Sequence, residues 1–249
     1  MENSLQENQE WFEDWFDSKF YHILYKNRDY SEAKKFIDNL INHFTPKKTD
    51  VFCDVACGKG RHAKYINKLG FKVDGFDLSK NSILSAKKSE SENLHFYTND
   101  IRTPLKTNAY NFAFNLFTSF GYFEQEEDNQ KSIDSIAQSI KNNGVLVLDF
   151  MNCNKVINNL TQSESKVVDK ITFNISRTVV DGFITKNINF KDQDQEYYFQ
   201  EKVKAITFET FKSYFKAANL KIEATFGDYN LNAFDLQHSD RLILVARKK

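Results

Sequence analysis

The chain has 249 residues, and its 34 basic and 34 acidic side chains give a formal net charge of zero. This length predicts one large domain, or one domain with an insertion, whose core needs no disulfide or metal ion. The zero charge argues against a nucleic-acid partner, because nucleic-acid interfaces usually carry an excess of basic residues. No apolar run approaches the roughly 18 residues of a membrane-spanning helix, so we expect no membrane partner.

The N-terminus and the cysteines indicate the compartment. Residues 1–16 are acidic and amphipathic, without the basic and then apolar segments of a signal peptide. Cys53, Cys57 and Cys153 are an odd number of cysteines without the spacing of metal ligands. We therefore expect a cytoplasmic protein with no metal site.

The first 150 residues predict two leading helices and then an alternation of strands and helices. Helical spacing of apolar residues predicts helices over 11–25 and 31–44, and Pro46 ends the second. The alternation that follows is typical of βαβ units with a parallel sheet. The predicted strands are 50–55, 71–77, 94–98, 109–117 and 145–150, and the helices are 60–69, 79–89 and 127–141.

After residue 150 the pattern changes to antiparallel strands. Segments 166–169, 171–180, 183–190 and 196–205 alternate polar and apolar residues, and Asp181 with Gly182 is a hairpin-turn signal. A helix over 207–218 and strands over 220–226 and 242–247 close the chain. The predicted fold class is α/β, a doubly wound Rossmann-like sheet with a small antiparallel insertion that folds over the sheet as a lid.

Three acidic residues follow the ends of three successive strands. Asp54 ends the first strand of the alternation, and a loop with Gly58 and Gly60 leads from it into a helix. Glycines let the backbone approach a ligand closely, and a helix N-terminus presents free N–H groups. Asp77 ends the second strand, where a carboxylate accepts ribose hydroxyls, and Asp100 follows the third. The pattern predicts a nucleoside-binding site, although the glycine loop alone fits a dinucleotide equally well.

The sequence resembles the class I S-adenosylmethionine-dependent methyltransferases over essentially the whole chain. The resemblance rests on DVACGKGRHA (54–63), VDGFDLSKNSI (73–83), NDIR (99–102), FNLFTSFGYFE (114–124), DNQKSIDSIAQSIKNNGVLVLDFMN (128–152) and the terminal RLILVARKK. It implies a seven-stranded sheet with an antiparallel last strand. It also implies S-adenosyl-L-methionine as cofactor, with S-adenosyl-L-homocysteine as product. Ala56 departs from the family, which often has a glycine there.

The resemblance also implies roles for individual residues. Asp54 would face the methionine amine, Gly58 and Gly60 the backbone turn, Asp77 the ribose and Asp100 the adenine. Leu116 and Phe117 would flank the sulfonium. The N-terminal helices over 1–46 would cover the cofactor, the core would span 47–152 and 206–249, and 153–205 would form the lid and bind substrate. Further candidate cofactor residues are Ala56, Cys57, Leu78, Ile101, Tyr21, Tyr25 and Arg28.

Catalysis and substrate are less constrained by the sequence. Methyl transfer from a sulfonium depends chiefly on orientation, so a general base is optional; the candidate bases or orienting residues are Tyr122, His238 and His22. The candidate substrate residues are Ser119, Asn152, Arg177 and Tyr229. The N-P-P-Y signature of DNA, RNA and glutamine methyltransferases is absent, which favours a small-molecule N- or O-nucleophile. A nicotinamide-dependent oxidoreductase and a non-catalytic cofactor-binding or RNA-modification accessory protein are the alternatives, and the chain could be a monomer or a homodimer.

Overall fold

The computed structural model describes residues 11–26 and 30–249. The chain divides into two compact units, one from 1–28 with 161–202 and the other from 29–160 with 203–249. The helices are α1 (Trp11–Asp17), α2 (Lys19–Leu24), α3 (Tyr30–Phe44), α4 (Arg61–Lys68), α5 (Lys80–Lys87), α6 (Glu126–Ser139), α7 (Cys153–Asn158) and α8 (Phe208–Ala217). The strands are β1 (Val51–Val55), β2 (Lys72–Asp77), β3 (Leu94–Thr98), β4 (Tyr110–Asn115), β5 (Ile140–Met151), β6 (Ser163–Val168), β7 (Ile171–Val180), β8 (Phe183–Asp192), β9 (Gln195–Lys204), β10 (Leu220–Phe226) and β11 (Arg241–Lys248).

The larger unit contains a seven-stranded mixed sheet in the order β10-β11-β5-β4-β1-β2-β3. Strands β1 to β5 pair in parallel, whereas β11 runs antiparallel to both β5 and β10. This arrangement confirms the predicted fold, including the antiparallel last strand. The central strands are apolar on both faces because helices cover the sheet, and the rings of Phe52 and Phe112 stack 4.8 Å apart in the core.

Two of the predicted boundaries in the larger unit were wrong. Helix α6 ends at Ser139, and β5 begins directly at Ile140, opposite Tyr110 of β4. Residues 140–144 therefore extend a strand, although the sequence pattern assigned 140 and 141 to a helix. Asn143 has φ +63°, where the pairing between β4 and β5 shifts register. The short helix α7 was also missed. Ser79 caps α5 and Thr207 caps α8, each side chain accepting a hydrogen bond from the N–H three residues on.

The smaller unit contains the four-stranded sheet β6-β7-β8-β9 and the helices α1 and α2. The single helix predicted over 11–25 is two helices, because Ser18 interrupts it and caps α2 by accepting the Tyr21 N–H. Trp15, Phe20 and Leu24 pack on one face of the sheet against a set of apolar strand residues that includes Phe173 and Ile188.

The hairpin between β7 and β8 turns as the sequence predicted. Asp181 and Gly182 both have positive φ, +50° and +76°, which is the backbone of a two-residue hairpin turn. Among the described residues, no helix combines the length and the apolar character needed to cross a membrane.

Candidate functional site

The carboxyl ends of the parallel strands bring the predicted acidic residues to one edge of the large sheet. Asp54 lies in β1 opposite Gly75 of β2, and Asp77 ends β2 opposite Thr98 of β3. Ligands of open α/β sheets bind at this edge. The edge therefore holds Asp54 and Asp77 close to the loop that follows β1.

The loop between β1 and α4 has three residues with left-handed backbone. Ala56, Gly58 and Gly60 have φ of +56°, +56° and +76°. A Cβ on Gly58 would meet nothing within 4 Å, so this glycine leaves open space beside the loop. A Cβ on Gly60 would lie 2.4 Å from the Phe96 ring, so packing alone requires a glycine there. A glycine is therefore favoured at the two positions for different reasons, open space beside the loop at Gly58 and close packing against Phe96 at Gly60. The spacing of the two glycines in the sequence did not distinguish these reasons.

Asp77 holds the same loop by two backbone hydrogen bonds. Its Oδ2 accepts from the Gly58 N–H at 2.8 Å, and its Oδ1 accepts from the Ser79 N–H at 2.9 Å. The side chain is half-buried. Asp77 thus links the end of β2 to the loop after β1 through one oxygen and to the start of α5 through the other.

Asp54 is a buried carboxyl at the end of β1. Only 1% of its surface is exposed, and its Oδ2 accepts from the Ala63 N–H of α4 at 2.9 Å. Burial raises the pKa of Asp54 to about 7, although the Ala63 N–H and the nearby Arg61 charge oppose this shift. Asp54 is therefore a group whose charge state can change when a ligand binds near it.

His62, at the start of α4, is a residue that sequence reasoning missed. It is buried, and burial lowers its pKa to about 3, so the imidazole is neutral. Its ring lies 5.2 Å from the ring of Phe117, and the guanidinium of Arg61 lies 4.4 Å from the same ring. The first residues of α4 thus contact the loop that follows β4.

The loop after β4 carries several of the predicted residues. Leu116 is buried, and its carbonyl accepts a hydrogen bond from the Ser119 hydroxyl at 2.9 Å. The Tyr122 hydroxyl donates to the Thr118 carbonyl at 2.6 Å. Phe117 and Thr118 have φ of +61° and +59°, which is the left-handed region. Nothing in the sequence indicated this conformation, because neither residue is a glycine.

An ion pair at the edge of the sheet holds this loop, and sequence reasoning missed both of its members. Asp149 of β5 is fully buried and accepts from the Nε of Arg241 of β11 at 2.7 Å. Burial alone would lower the pKa of Arg241, but the Asp149 carboxylate raises it, so the guanidinium stays charged. The Tyr229 hydroxyl also donates to Asp149, at 3.2 Å, and its ring stacks on Phe117 at 5.3 Å. The predicted residue Tyr229 therefore belongs to this network.

Asp100 lies two residues beyond β3 and is ion-paired with Arg102. Its carboxylate accepts from the Arg102 backbone N–H at 2.8 Å and from the guanidinium at 2.7 Å. Partial burial would raise the pKa of Asp100, but these contacts with Arg102 lower it below its usual value. Its neighbour Ile101 is half-buried, as is Leu78 after β2.

The remaining predicted residues lie in more ordinary surroundings. Cys57 is buried, and its N–H donates to the Phe76 carbonyl at 2.8 Å. The Asn152 amide, also buried, donates to the Leu236 and Ser239 carbonyls. His238 is exposed in a loop, where its Nδ1 lies 2.8 Å from Asp235.

Five candidate residues, Tyr21, His22, Tyr25, Arg28 and Arg177, fall within the residue ranges of the smaller unit. The Tyr25 hydroxyl donates to Glu201 at 2.6 Å, and Tyr21 packs against the Tyr25 and His22 rings. Arg177 is paired with Glu164 across β6 and β7. Arg28 lies outside the described residues. Within residues 11–26 and 30–249, no three His, Cys, Asp or Glu side chains are grouped closely enough to hold a metal ion.

Comparisons with known proteins identify the family. Residues 46–209 match the family model of a methyltransferase domain. A dTDP-3-amino-3,4,6-trideoxy-alpha-D-glucopyranose N,N-dimethyltransferase from Streptomyces venezuelae is 25% identical over 131 residues, which are 52% of this chain and 54% of that protein. The chain spans about half the length of the curated relatives it matches.

Solved structures share the fold. A S-adenosylmethionine-dependent methyltransferase from Clostridium acetobutylicum ATCC 824 matches with a TM-score of 0.78 and 19% identity, over 92% of this chain and 98% of that one. SAM-bound CalS10, an amino pentose methyltransferase from Micromonospora echinaspora, matches with a TM-score of 0.70 and 17% identity, over 93% and 98% of the two chains. With the family model matching two thirds of its length, the chain belongs to the methyltransferase domain family, which confirms the resemblance to the class I S-adenosylmethionine-dependent enzymes and the cofactor it implied.

Proposed function

We propose that this methyltransferase transfers a methyl group from S-adenosylmethionine to a nitrogen or oxygen nucleophile of a small molecule. The observation that carries the proposal is the pair of carboxyl groups, Asp54 and Asp77, at the ends of adjacent strands beside the open loop position at Gly58. Their chemistry fits a ligand with an ammonium group and a ribose, because one acid is buried near a helix N-terminus and the other ends the second strand, where a carboxylate can accept ribose hydroxyls.

Within this proposal, each residue of the edge has one task. Asp77 accepts hydrogen bonds from the ribose hydroxyls while it keeps the Gly58 loop in place. Asp54 faces the amine of the methionine part, and Asp100, oriented by Arg102, lies on the adenine side. Leu116 and Phe117 contact the cofactor from the loop after β4. These assignments are supported by the position of each residue at one edge of the sheet.

Catalysis of this methyl transfer depends mainly on the orientation of the reacting groups. When bound, the sulfonium cofactor supplies an activated methyl group and its own leaving group. The protein's part is to hold the nucleophile in line with that methyl and to exclude water, which can contribute about 7–11 kcal/mol. Of the two candidates in the larger unit, Tyr122 is the better placed to orient the acceptor, because its hydroxyl is anchored on Thr118 whereas His238 is exposed. A protonated amine would have to lose its proton before attack.

A small amine is the acceptor class that we favour, and an amino sugar is its first test case. The names of two similar proteins support this choice, since one is an amino-sugar N,N-dimethyltransferase and the other an amino pentose methyltransferase. The zero net charge also favours a small acceptor over a nucleic acid.

The proposal is tested in two steps with the full chain. Calorimetric titration with S-adenosylhomocysteine tests the cofactor site, and a parallel titration with NADH tests the oxidoreductase alternative. Labelled S-adenosylmethionine is then offered with nucleotide-linked amino sugars, simple amines and a metabolite extract, and methylated products are identified by mass spectrometry. Binding and a methylated small molecule are expected. The absence of S-adenosylhomocysteine binding at millimolar ligand would contradict the proposed function, and label retained only on RNA would contradict the proposed acceptor class.

A further inference from the structure

Two consecutive residues of the loop after β4 have a backbone conformation that their side chains disfavour. Phe117 has φ +61° and Thr118 has φ +59°. A left-handed backbone is uncommon for residues other than glycine, and it is an outlier for a β-branched residue such as threonine. Such a conformation persists only where the surroundings hold it, and it is concentrated at functional sites.

Four hydrogen bonds hold these two residues. The Phe117 N–H donates to the Asp149 Oδ2 at 2.8 Å, and the Thr118 N–H donates to the Asp149 backbone carbonyl at 2.9 Å. The Thr118 hydroxyl accepts from the Nη2 of Arg241 at 2.9 Å, and its carbonyl accepts from Tyr122. Asp149 and Arg241 therefore supply three of the four bonds, two of them through the charged side chains of their ion pair.

The conformation places the Phe117 ring against the start of α4. The ring lies 4.4 Å from the Arg61 guanidinium, 5.2 Å from the His62 ring and 5.3 Å from the Tyr229 ring. Arg61 and His62 directly follow the loop that contains Gly58 and Gly60. The ion pair thus fixes the distance between the loop after β4 and the loop after β1.

We propose that Asp149 and Arg241 are positioning residues that hold Phe117 and Thr118 in their left-handed conformation, and thereby set the affinity for the cofactor. The inference rests on the proposed function, because it assumes that the cofactor lies between these two loops. Neither residue needs to touch the cofactor. Each acts through the backbone and the hydroxyl group of the loop after β4.

The test replaces Asp149 by asparagine, which has nearly the same shape, and makes the same replacement at a second buried acid as a control. Asp149→Asn keeps only one of the two acceptor oxygens, so either the Arg241 guanidinium, or the Phe117 N–H and the Tyr229 hydroxyl, lose their acceptor. Asp74→Asn is the control, since Asp74 is also a buried acid paired with a lysine, Lys106, and with the Tyr110 hydroxyl, on β2 away from both loops. If Asp149→Asn does not fold, Arg241→Lys is measured instead, because it keeps the positive charge and loses the two-pronged guanidinium.

Calorimetry with S-adenosylhomocysteine is performed at a temperature where thermal unfolding shows each variant to be folded. Asp149→Asn should lower the affinity about tenfold, the effect of one lost hydrogen bond to a charged group. Asp74→Asn should lower the thermal midpoint without this loss. Thr118→Asn, which tolerates the left-handed backbone and keeps an acceptor for Arg241, should restore part of the affinity in the Asp149→Asn background. Unchanged affinity in folded Asp149→Asn, or an equal loss in Asp74→Asn, would overturn the inference.

Amide hydrogen exchange separates this inference from the proposed function. The amides of Phe117 and Thr118 should exchange faster in Asp149→Asn than in the wild type, with no ligand present. If the wild type failed to bind S-adenosylhomocysteine while this exchange still accelerated, the proposed function and the effect on cofactor affinity would fail, whereas the role of the ion pair in holding the loop would stand. If exchange at both amides were unchanged, the positioning role would be overturned whatever the ligand does.

Discussion

Binding of S-adenosylhomocysteine at pH 6 should release most of one proton from Asp54. Burial raises the pKa of this carboxyl to about 7, so roughly 90% of the free protein carries the proton at pH 6. In the proposed complex the ligand ammonium lies beside the carboxylate, and an opposite charge at that range lowers a pKa by about 1–3 units. With a shift of about 2 units, the release at pH 6 is about 0.8 proton and the affinity rises about tenfold between pH 6 and pH 8.

The assay is calorimetry at pH 6 in buffers of different ionisation enthalpy. The observed binding enthalpy should change linearly with the buffer's ionisation enthalpy, and the slope gives the number of protons released. Asp54→Asn is the matched variant, because its side-chain oxygen can still accept the Ala63 N–H that Asp54 binds in the wild type. Its slope should be near zero, and its affinity should no longer rise with pH.

Two results would refute this reasoning. A slope near zero in the wild type would mean that Asp54 is already ionised at pH 6, or that no cation comes close to it. An equal slope in Asp54→Asn would assign the proton to another group.

Three further predictions follow from the described contacts. Asp77→Ala should weaken S-adenosylhomocysteine binding by about 1.5–3 kcal/mol, the value for a hydrogen bond to a charged group; unchanged affinity in calorimetry would remove Asp77 from the site. His62 has a folded pKa of about 3 against about 6.5 unfolded, so its neutral form stabilises the protein above pH 6.5, and about 4–5 kcal/mol should be lost as the pH falls towards 3. Urea unfolding at several pH values should show a shallower acid loss for His62→Gln, and an identical loss would contradict the buried neutral imidazole. Trp15→Phe removes the indole donor to Glu201 and part of a buried ring, so it should cost at least about 1.5–3 kcal/mol in chemical unfolding, and no cost would contradict that bond.

Much of the fold could be predicted because its signals are local. Strands buried on both faces appear as short apolar runs, and the acidic residues Asp54 and Asp77 stand where such runs end. The boundary at Ile140 could not be predicted in the same way. Residues 140–144 include two asparagines and a glycine, which resemble a helix end followed by a loop. Pairing with the neighbouring strands overrides that local preference and extends β5 to twelve residues.

The site was predicted only in part, because its support comes from residues far apart in the chain. Asp149 and Arg241 are paired across adjacent strands, and 92 positions separate them. One signal was present in the sequence: Asp149 interrupts the apolar run of β5, and a buried charge requires a partner. That rule demands a cation without identifying which of the 34 basic residues supplies it.

The conformation of Thr118 had no sequence signal at all, because a left-handed backbone is expected at glycine, and the nearest glycine is Gly121. Here the tertiary contacts decide the backbone, since the carboxylate and the guanidinium of one ion pair bond to two successive residues. A glycine at position 118 would adopt this φ without strain, but it would give Arg241 no hydroxyl. Threonine therefore adopts an unfavourable backbone conformation, but its hydroxyl bonds to Arg241 and holds the loop in place. This explains why a strained residue occurs at the edge of the sheet where the cofactor is proposed to bind.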